Sequence, residues 1–117
     1  MTPDLPPLVQ RTVRRLVRAF APERILLFGS WAKGTRHEAS DVDLLVITRM
    51  EGNAAFLQRR ARQLAADSFP RVDVVLATPE EVAGADQARS PFLASILGSG
   101  ITLFDRMGEG AGRGLAD

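Results

Sequence analysis

The 117-residue sequence contains no cysteine, and it has a single histidine and a single tryptophan. The lack of cysteine excludes disulfides and thiolate zinc sites, which fits a reducing compartment. Because His37 has no second histidine or cysteine to act with, histidine-based chemistry and a zinc site are disfavoured, and we interpret His37 as a surface residue. No apolar run reaches the roughly 18 residues that a membrane-spanning helix needs.

Charge and composition are those of an ordinary globular domain. Hydrophobic residues make up 45% of the chain, charged residues 25%, and the net charge of +1 implies no overall attraction to nucleic acid or membrane. The N-terminal stretch MTPDLPPLVQRTVRRLV places an acid and prolines before any basic residue, unlike a signal peptide. We therefore expect a cytoplasmic protein with one domain over residues 1–107 and a flexible glycine-rich tail over 108–117.

Hydrophobic periodicity predicts an alternation of helices and short strands. The first helix carries its arginines opposite an apolar stripe, and we interpret that arginine face as solvated surface, with docking to an acidic partner as the alternative. The order indicates an α/β (α+β) fold, with a small mixed β-sheet and helices packed on one face. The predicted helices are Leu5–Phe20, Trp31–Lys33, Asn53–Phe69, one that starts at Thr78, and Ser90–Leu97; the predicted strands are Arg24–Phe28, Asp41–Ile47, Arg71–Ala77 and Ile101–Phe104.

Three aspartates lie in segments that otherwise look like buried strands. Asp41 and Asp43 are two residues apart, so both project from one face of a strand, and Asp73 lies within the apolar stretch RVDVVL. Three carboxylates on neighbouring strands form a cluster of hard oxygen ligands of the kind that Mg²⁺ prefers. A glycosidase-type carboxylate pair is disfavoured by the few aromatic residues. The structural alternative is an ion-pair cluster with arginines, for which the candidates are Arg24, Arg36 and Arg71.

Gly29 and Ser30 follow the first strand and suit a phosphate-binding turn. A glycine lets the backbone approach a phosphate closely, and the following helical turn supplies amide donors. A P-loop is disfavoured because Thr35 and Arg36 stand where that motif requires lysine and then serine or threonine. We interpret Trp31 as a core or edge aromatic, with stacking on a base or a partner as the alternative.

The stretch FGSWAKGTRHEASDVDLLV resembles the signature of the DNA polymerase beta nucleotidyltransferase superfamily, in which Gly-Ser is followed after ten residues by Asp-x-Asp. Asp73 stands where that superfamily has its third metal carboxylate. The resemblance covers roughly residues 25–77. The small size is similar to that of the minimal nucleotidyltransferases, the MNT-type antitoxins that are encoded beside HEPN toxins.

The resemblance implies a role for each site residue. Gly29 and Ser30 would hold the triphosphate of ATP, and Lys33 would contact a phosphate unless it is only solvated. The aspartates would be the catalytic and metal-binding residues: Asp41 and Asp43 would ligate two Mg²⁺ ions, and Asp73 would bind the catalytic metal and activate the attacking hydroxyl.

The implied reaction is transfer of AMP to a hydroxyl, expected to be a tyrosine, of a cognate HEPN toxin, which would neutralise the toxin. The chain has no tyrosine of its own, so it cannot modify itself at one. The alternative is a non-catalytic module that inhibits its partner by binding alone. An aminoglycoside-type enzyme is disfavoured because few residues follow Asp73. Leu45 and Ile47 share the strand face of the aspartates and would form an apolar surface for a partner unless a local helix covers them.

Overall fold

The computed structural model describes residues 4–35, 40–86 and 89–106. The predictions for Arg36, His37 and the tail at 108–117 lie outside these residues, and the division into domain and tail stays a prediction. The helices are α1 (Pro7–Phe20), α2 (Ser30–Lys33), α3 (Ala54–Ala65), α4 (Pro79–Ala83) and α5 (Pro91–Ser99), and the strands are β1 (Arg24–Phe28), β2 (Val42–Ile47), β3 (Val72–Ala77) and β4 (Ile101–Asp105).

Local sequence signals account for where the helices begin. The side chain of Asn53 accepts a hydrogen bond from the amide of Phe56 at the start of α3. Thr78 and Glu81 form a reciprocal capping box at the start of α4. The predicted helix ran to Phe69, four residues past the observed end of α3 at Ala65. Phe69 itself disfavours helical backbone because a proline follows it.

The sheet has the strand order β3-β2-β1-β4. β1 is antiparallel to β2 and β4, whereas β2 and β3 are parallel. The C-terminal end of β1 therefore lies beside the N-terminal ends of β2 and β3. This arrangement brings Gly29 and Ser30, which follow β1, to the same edge of the sheet as the aspartates.

The core has two parts, one on each face of the sheet. On one face, α1, α3 and Trp31 pack against strand residues that include Val42, Leu44 and Val46. On the other face, residues of α4 and α5 pack against Leu45 and Ile47, which are 0% and 1% exposed. The α/β class with a mixed sheet is confirmed, but the prediction that all helices pack on one face is wrong. Because α4 and α5 cover Leu45 and Ile47, these residues form no apolar surface for a partner.

Among residues 4–35, 40–86 and 89–106, no helix combines the length and the apolar character that a bilayer crossing demands.

Candidate active site

The pairing of strands β1, β2 and β3 brings the predicted site residues together. Asp43 pairs with Phe28 on one side and with Asp73 on the other, so the carboxylates of Asp43 and Asp73 lie on the same face of adjacent strands. Asp41 lies just before β2, where the amide of Val42 donates to the carbonyl of Arg71 over 2.8 Å. The three aspartates therefore lie at one edge of the β2–β3 pair.

The carboxylate of Asp43 is in an unfavourable electrostatic environment. Burial of its carboxyl group raises its pKa above the ordinary value, and the negative charges of Asp73 and Asp41 raise it further. Ionised Asp43 therefore has a free-energy cost in the folded protein, which a bound cation would offset.

The alternative of an arginine ion-pair cluster has little support. Nε of Arg71 is 3.7 Å from Oδ1 of Asp73, but the two side chains are 76% and 48% exposed, so this pair contributes little. Arg24 pairs with Ile47 at the far end of β2. In the described part of the chain, no lysine or arginine forms an ion pair with Asp41 or Asp43.

The donor set suits Mg²⁺ in its chemistry, because all three side chains offer hard carboxylate oxygens and together carry excess negative charge. The three carboxylates do not converge on one point, however. Within the described ranges, no three His, Cys, Asp or Glu side chains gather closely enough to hold one ion. Ligation of metal by Asp41, Asp43 and Asp73 together therefore stays a prediction.

Gly29 adopts a backbone conformation that only glycine tolerates well, with φ +77° and ψ −154°. A Cβ at this position would collide with Oδ2 of Asp43 and would lie 3.2 Å from its Cγ. The carbonyl of Gly29 accepts hydrogen bonds from the amides of Ala32 and Lys33, each at 3.1 Å, and so begins α2. The glycine thus lets the turn that leads into Ser30 approach the Asp43 carboxylate closely.

Lys33 is exposed in the last turn of α2 and forms no ion pair within the described residues. Its predicted contact with a phosphate, like the phosphate-binding roles of Gly29 and Ser30, stays a prediction.

Trp31 connects the turn after β1 to the segment that carries Asp41. The indole is 7% exposed, and its Nε1 donates a 3.0 Å hydrogen bond to the carbonyl of Ser40. The interpretation of Trp31 as a core aromatic is confirmed. The hydrogen bond from Trp31 to Ser40 was not predicted. A buried indole generally needs an acceptor, but the sequence does not show which carbonyl of the following loop provides it.

We expect Trp31→Phe to loosen the start of β2. Phenylalanine keeps much of the packing but loses the hydrogen bond to Ser40, so the free energy of unfolding should fall by about 1–3 kcal/mol. The amide of Val42 should exchange with solvent faster than in the wild type, whereas amides of β4 should change only as much as global stability does. Equal changes in both strands would contradict a specific link between Trp31 and the Asp41 segment.

The sequence matches the family model described as nucleotidyltransferase domain over residues 9–95, a range that includes Gly29 and all three aspartates. No curated protein is a detectable sequence relative of the chain.

Solved structures share the fold. A Sulfolobus solfataricus protein assigned as a nucleotidyltransferase superposes with a TM-score of 0.59 at 19% identity, over 86% of this chain and 79% of that one. A toxin–antitoxin structure with AMP-PNP gives a TM-score of 0.57 at 22% identity, covering 92% and 80%. A mutant of the toxin–antitoxin MntA-HpeT gives 0.54 at 18% identity, also covering 92% and 80%. At these identities the structures establish a shared fold.

Proposed function

This chain belongs to the nucleotidyltransferase domain family, and we propose that it acts as an antitoxin that transfers AMP from ATP, with Mg²⁺, to a hydroxyl of a HEPN-type toxin. The observation that carries the proposal is the register that pairs Asp43 with Asp73 and sets Gly29 against Asp43. This geometry places the glycine turn, where a triphosphate would bind, beside the carboxylates that would hold its metal ions.

In the proposed reaction, a hydroxyl oxygen of the toxin, expected to be that of a tyrosine, attacks the α-phosphorus of ATP. The new oxygen–phosphorus bond forms as the bond to pyrophosphate breaks, and Asp73 accepts the hydroxyl proton. Asp41 and Asp43 would hold two Mg²⁺ ions, which when bound offset negative charge on the phosphates. Gly29 and Ser30 would position the triphosphate, with Lys33 as a further phosphate contact.

The names of two structural neighbours support the nucleotide and the partner. One toxin–antitoxin structure contains AMP-PNP, an analogue of ATP. The other carries a double mutation of two aspartates, two positions apart, to glutamate, a spacing that matches Asp41 and Asp43. In this proposal the present chain acts on a protein partner and uses ATP.

The second candidate is a non-catalytic module that inhibits its partner by forming a complex. The three carboxylates do not converge on one metal position in this structure, which is the observation in its favour.

A labelling experiment separates the two functions. The chain is incubated with Mg²⁺, ATP and the product of the neighbouring gene as the candidate toxin, with the label either in the α-phosphate or in the γ-phosphate. AMP transfer predicts label on the toxin from α-labelled ATP only, and Asp41→Ala with Asp43→Ala should abolish it. Glu80→Ala is the control, since it removes a carboxylate from an exposed position beyond the opposite end of β3.

Neutralisation of the toxin by the double aspartate variant, with no label on the toxin from the wild type, would support the binding module. Label from γ-labelled ATP would instead indicate transfer of the terminal phosphoryl group, and the AMP-transfer proposal would be wrong.

A further inference from the structure

Positive charge is concentrated on two helices. α1 and α3 carry seven of the fifteen lysines and arginines of the chain and none of its fourteen aspartates and glutamates. Both helices pack on the sheet face opposite to the one from which the aspartates project. Although the net charge of the whole chain is near zero, the side of the protein formed by α1 and α3 is therefore strongly basic. This side lies away from the candidate active site.

One carboxylate near these helices offsets part of the charge. Asp67 accepts from Nη2 of Arg11 at 2.8 Å and from Nη1 of Arg15 at 2.9 Å, which ties α1 to the end of α3. In the part of the chain that the structure describes, Arg18 and Arg60 have no ion pair. Two uncompensated guanidinium groups that line one hollow repel each other, and an anionic ligand would relieve this repulsion.

Two adjoining hollows run along this side. The first, of about 390 Å³, is lined by Arg15, Arg18, Ala19, Arg60, Gln63 and Leu64. The second, of about 490 Å³, shares Ala19 and adds Phe20, Leu57, Arg49 and Arg106, together with one acid, Glu51. We call the two hollows together the arginine groove. Beside its arginines, the lining of the groove includes the apolar residues Ala19, Leu57 and Leu64.

We propose that the arginine groove docks an acidic, amphipathic helical segment of a protein partner. Glutamates or aspartates of such a helix would pair with Arg18 and Arg60, while its apolar side chains would cover Ala19 and Leu64. Leu57 and Leu64, seven residues apart on α3, span about 10 Å, which is close to two turns of a bound helix.

A protein segment fits this groove better than a nucleic acid does. Unspecific nucleic-acid binding relies on exposed aromatic rings and an overall positive charge. The aromatic residue that lines the groove, Phe20, is packed against the core, and the net charge of the chain is only +1. The identification of this partner with the toxin rests on the proposed function, whereas the groove and its ligand chemistry do not.

The test uses a fluorescent helical peptide with glutamates on one face and leucines on the other, a matched peptide with glutamine at every glutamate, and a single-stranded RNA. We expect the full chain to bind the glutamate peptide in a salt-dependent manner and the glutamine peptide at least about tenfold more weakly. Arg18→Glu with Arg60→Glu should weaken binding of the glutamate peptide by about tenfold or more.

Arg59→Glu with Arg62→Glu is the matched control, because it makes the same charge change on exposed positions of α3 that do not line the groove. Its effect should stay within about twofold. Arg18→Gln with Arg60→Gln, checked by thermal melting, covers the case in which the charge reversal disturbs folding. Equal weakening by both pairs of variants, or no binding of the glutamate peptide at low salt, would overturn the proposal.

Tighter binding of the RNA than of the glutamate peptide, lost with Arg18→Glu and Arg60→Glu, would also overturn it in favour of a nucleic-acid surface. Because the experiment contains no ATP and no toxin, its failure leaves AMP transfer untouched. Conversely, loss of labelling in the Asp41→Ala and Asp43→Ala variant says nothing about the arginine groove.

Discussion

Asp43→Asn is expected to slow nucleotide transfer strongly and, at neutral pH without divalent ions, to raise the melting temperature. Asparagine is nearly the same size as aspartate but carries no charge. It therefore removes a proposed metal ligand and, with it, the repulsion from Asp41 and Asp73 that helps to raise the pKa of Asp43. Because metal ions contribute several kcal/mol to phosphoryl-transfer transition states, we expect a loss of about a hundredfold to a thousandfold in rate.

The gain in stability should depend on pH. Because the pKa of Asp43 is raised in the folded state, the unfolded chain loses this proton first as pH rises, and the wild type becomes less stable in the process. Below the ordinary aspartate pKa of about 3.9, the group is protonated in both states and its cost disappears. The melting temperature of Asp43→Asn should therefore exceed that of the wild type at pH 7, and the difference should shrink in acid.

Thermal melts from pH 3 to pH 8, with and without Mg²⁺ and ATP, check this expectation. Mg²⁺ with ATP should stabilise the wild type more than the variant, because only the wild type offers the Asp43 carboxylate as a ligand. Asp67→Asn is the control: it breaks the pairs with Arg11 and Arg15, so it should lower stability and leave transfer intact. A stability gap between Asp43→Asn and wild type that does not change with pH would contradict the electrostatic argument.

The parts of the structure that the sequence predicts well are those with local causes. Short apolar runs gave the observed bounds of β1 and placed the other strands to within one residue at either end, and the caps at Asn53 and Thr78 marked two helix starts. Period-two geometry also puts Asp41 and Asp43 on one strand face, and Asp73 stands out because it interrupts an apolar strand. That Asp73 lies beside Asp43 depends on the parallel pairing of β2 and β3, which no local pattern specifies.

What could not be predicted depends on contacts between distant residues. The segment Pro91–Ser99 is apolar on most sides, so its sequence does not show that it covers Leu45 and Ile47. Asp67 meets Arg11 and Arg15 across 56 and 52 positions, and nothing local marks it as their partner. The arginine face of α1 was therefore interpreted as solvated surface, with docking to an acidic partner as the alternative; in the structure, Arg15 and Arg18 of this face line the arginine groove.

Gly29→Ala is expected to cost both stability and activity. The added Cβ would occupy the place of Oδ2 of Asp43, and the backbone conformation at Gly29 is strained for any residue with a side chain. Strain of this kind costs about 1–3 kcal/mol, and overpacking adds a similar amount, so we expect the free energy of unfolding to fall by about 2–5 kcal/mol. The displaced carboxylate should reduce AMP transfer by about a hundredfold or more.

Gly34→Ala separates the two causes. Gly34 also has a positive φ, +79°, but a Cβ there would meet nothing within 4 Å. Its replacement should therefore cost about 1 kcal/mol, the penalty for a left-handed alanine, and leave transfer nearly unchanged. Urea unfolding and the labelling assay measure both quantities for both variants.

A double-mutant cycle tests the contact itself. If Gly29→Ala acts through its collision with Asp43, then combining it with Asp43→Ala should cost less stability than the sum of the two single changes, by about 0.5–3 kcal/mol. In the same cycle with Asp73→Ala, the two stability losses should be close to additive. The three atoms nearest to a Cβ at Gly29 all belong to Asp43, so the added Cβ has no close contact with Asp73. Additivity in both cycles would show that the glycine is needed for its backbone conformation alone, and the close approach of the turn to the carboxylate would then have no part in building the site.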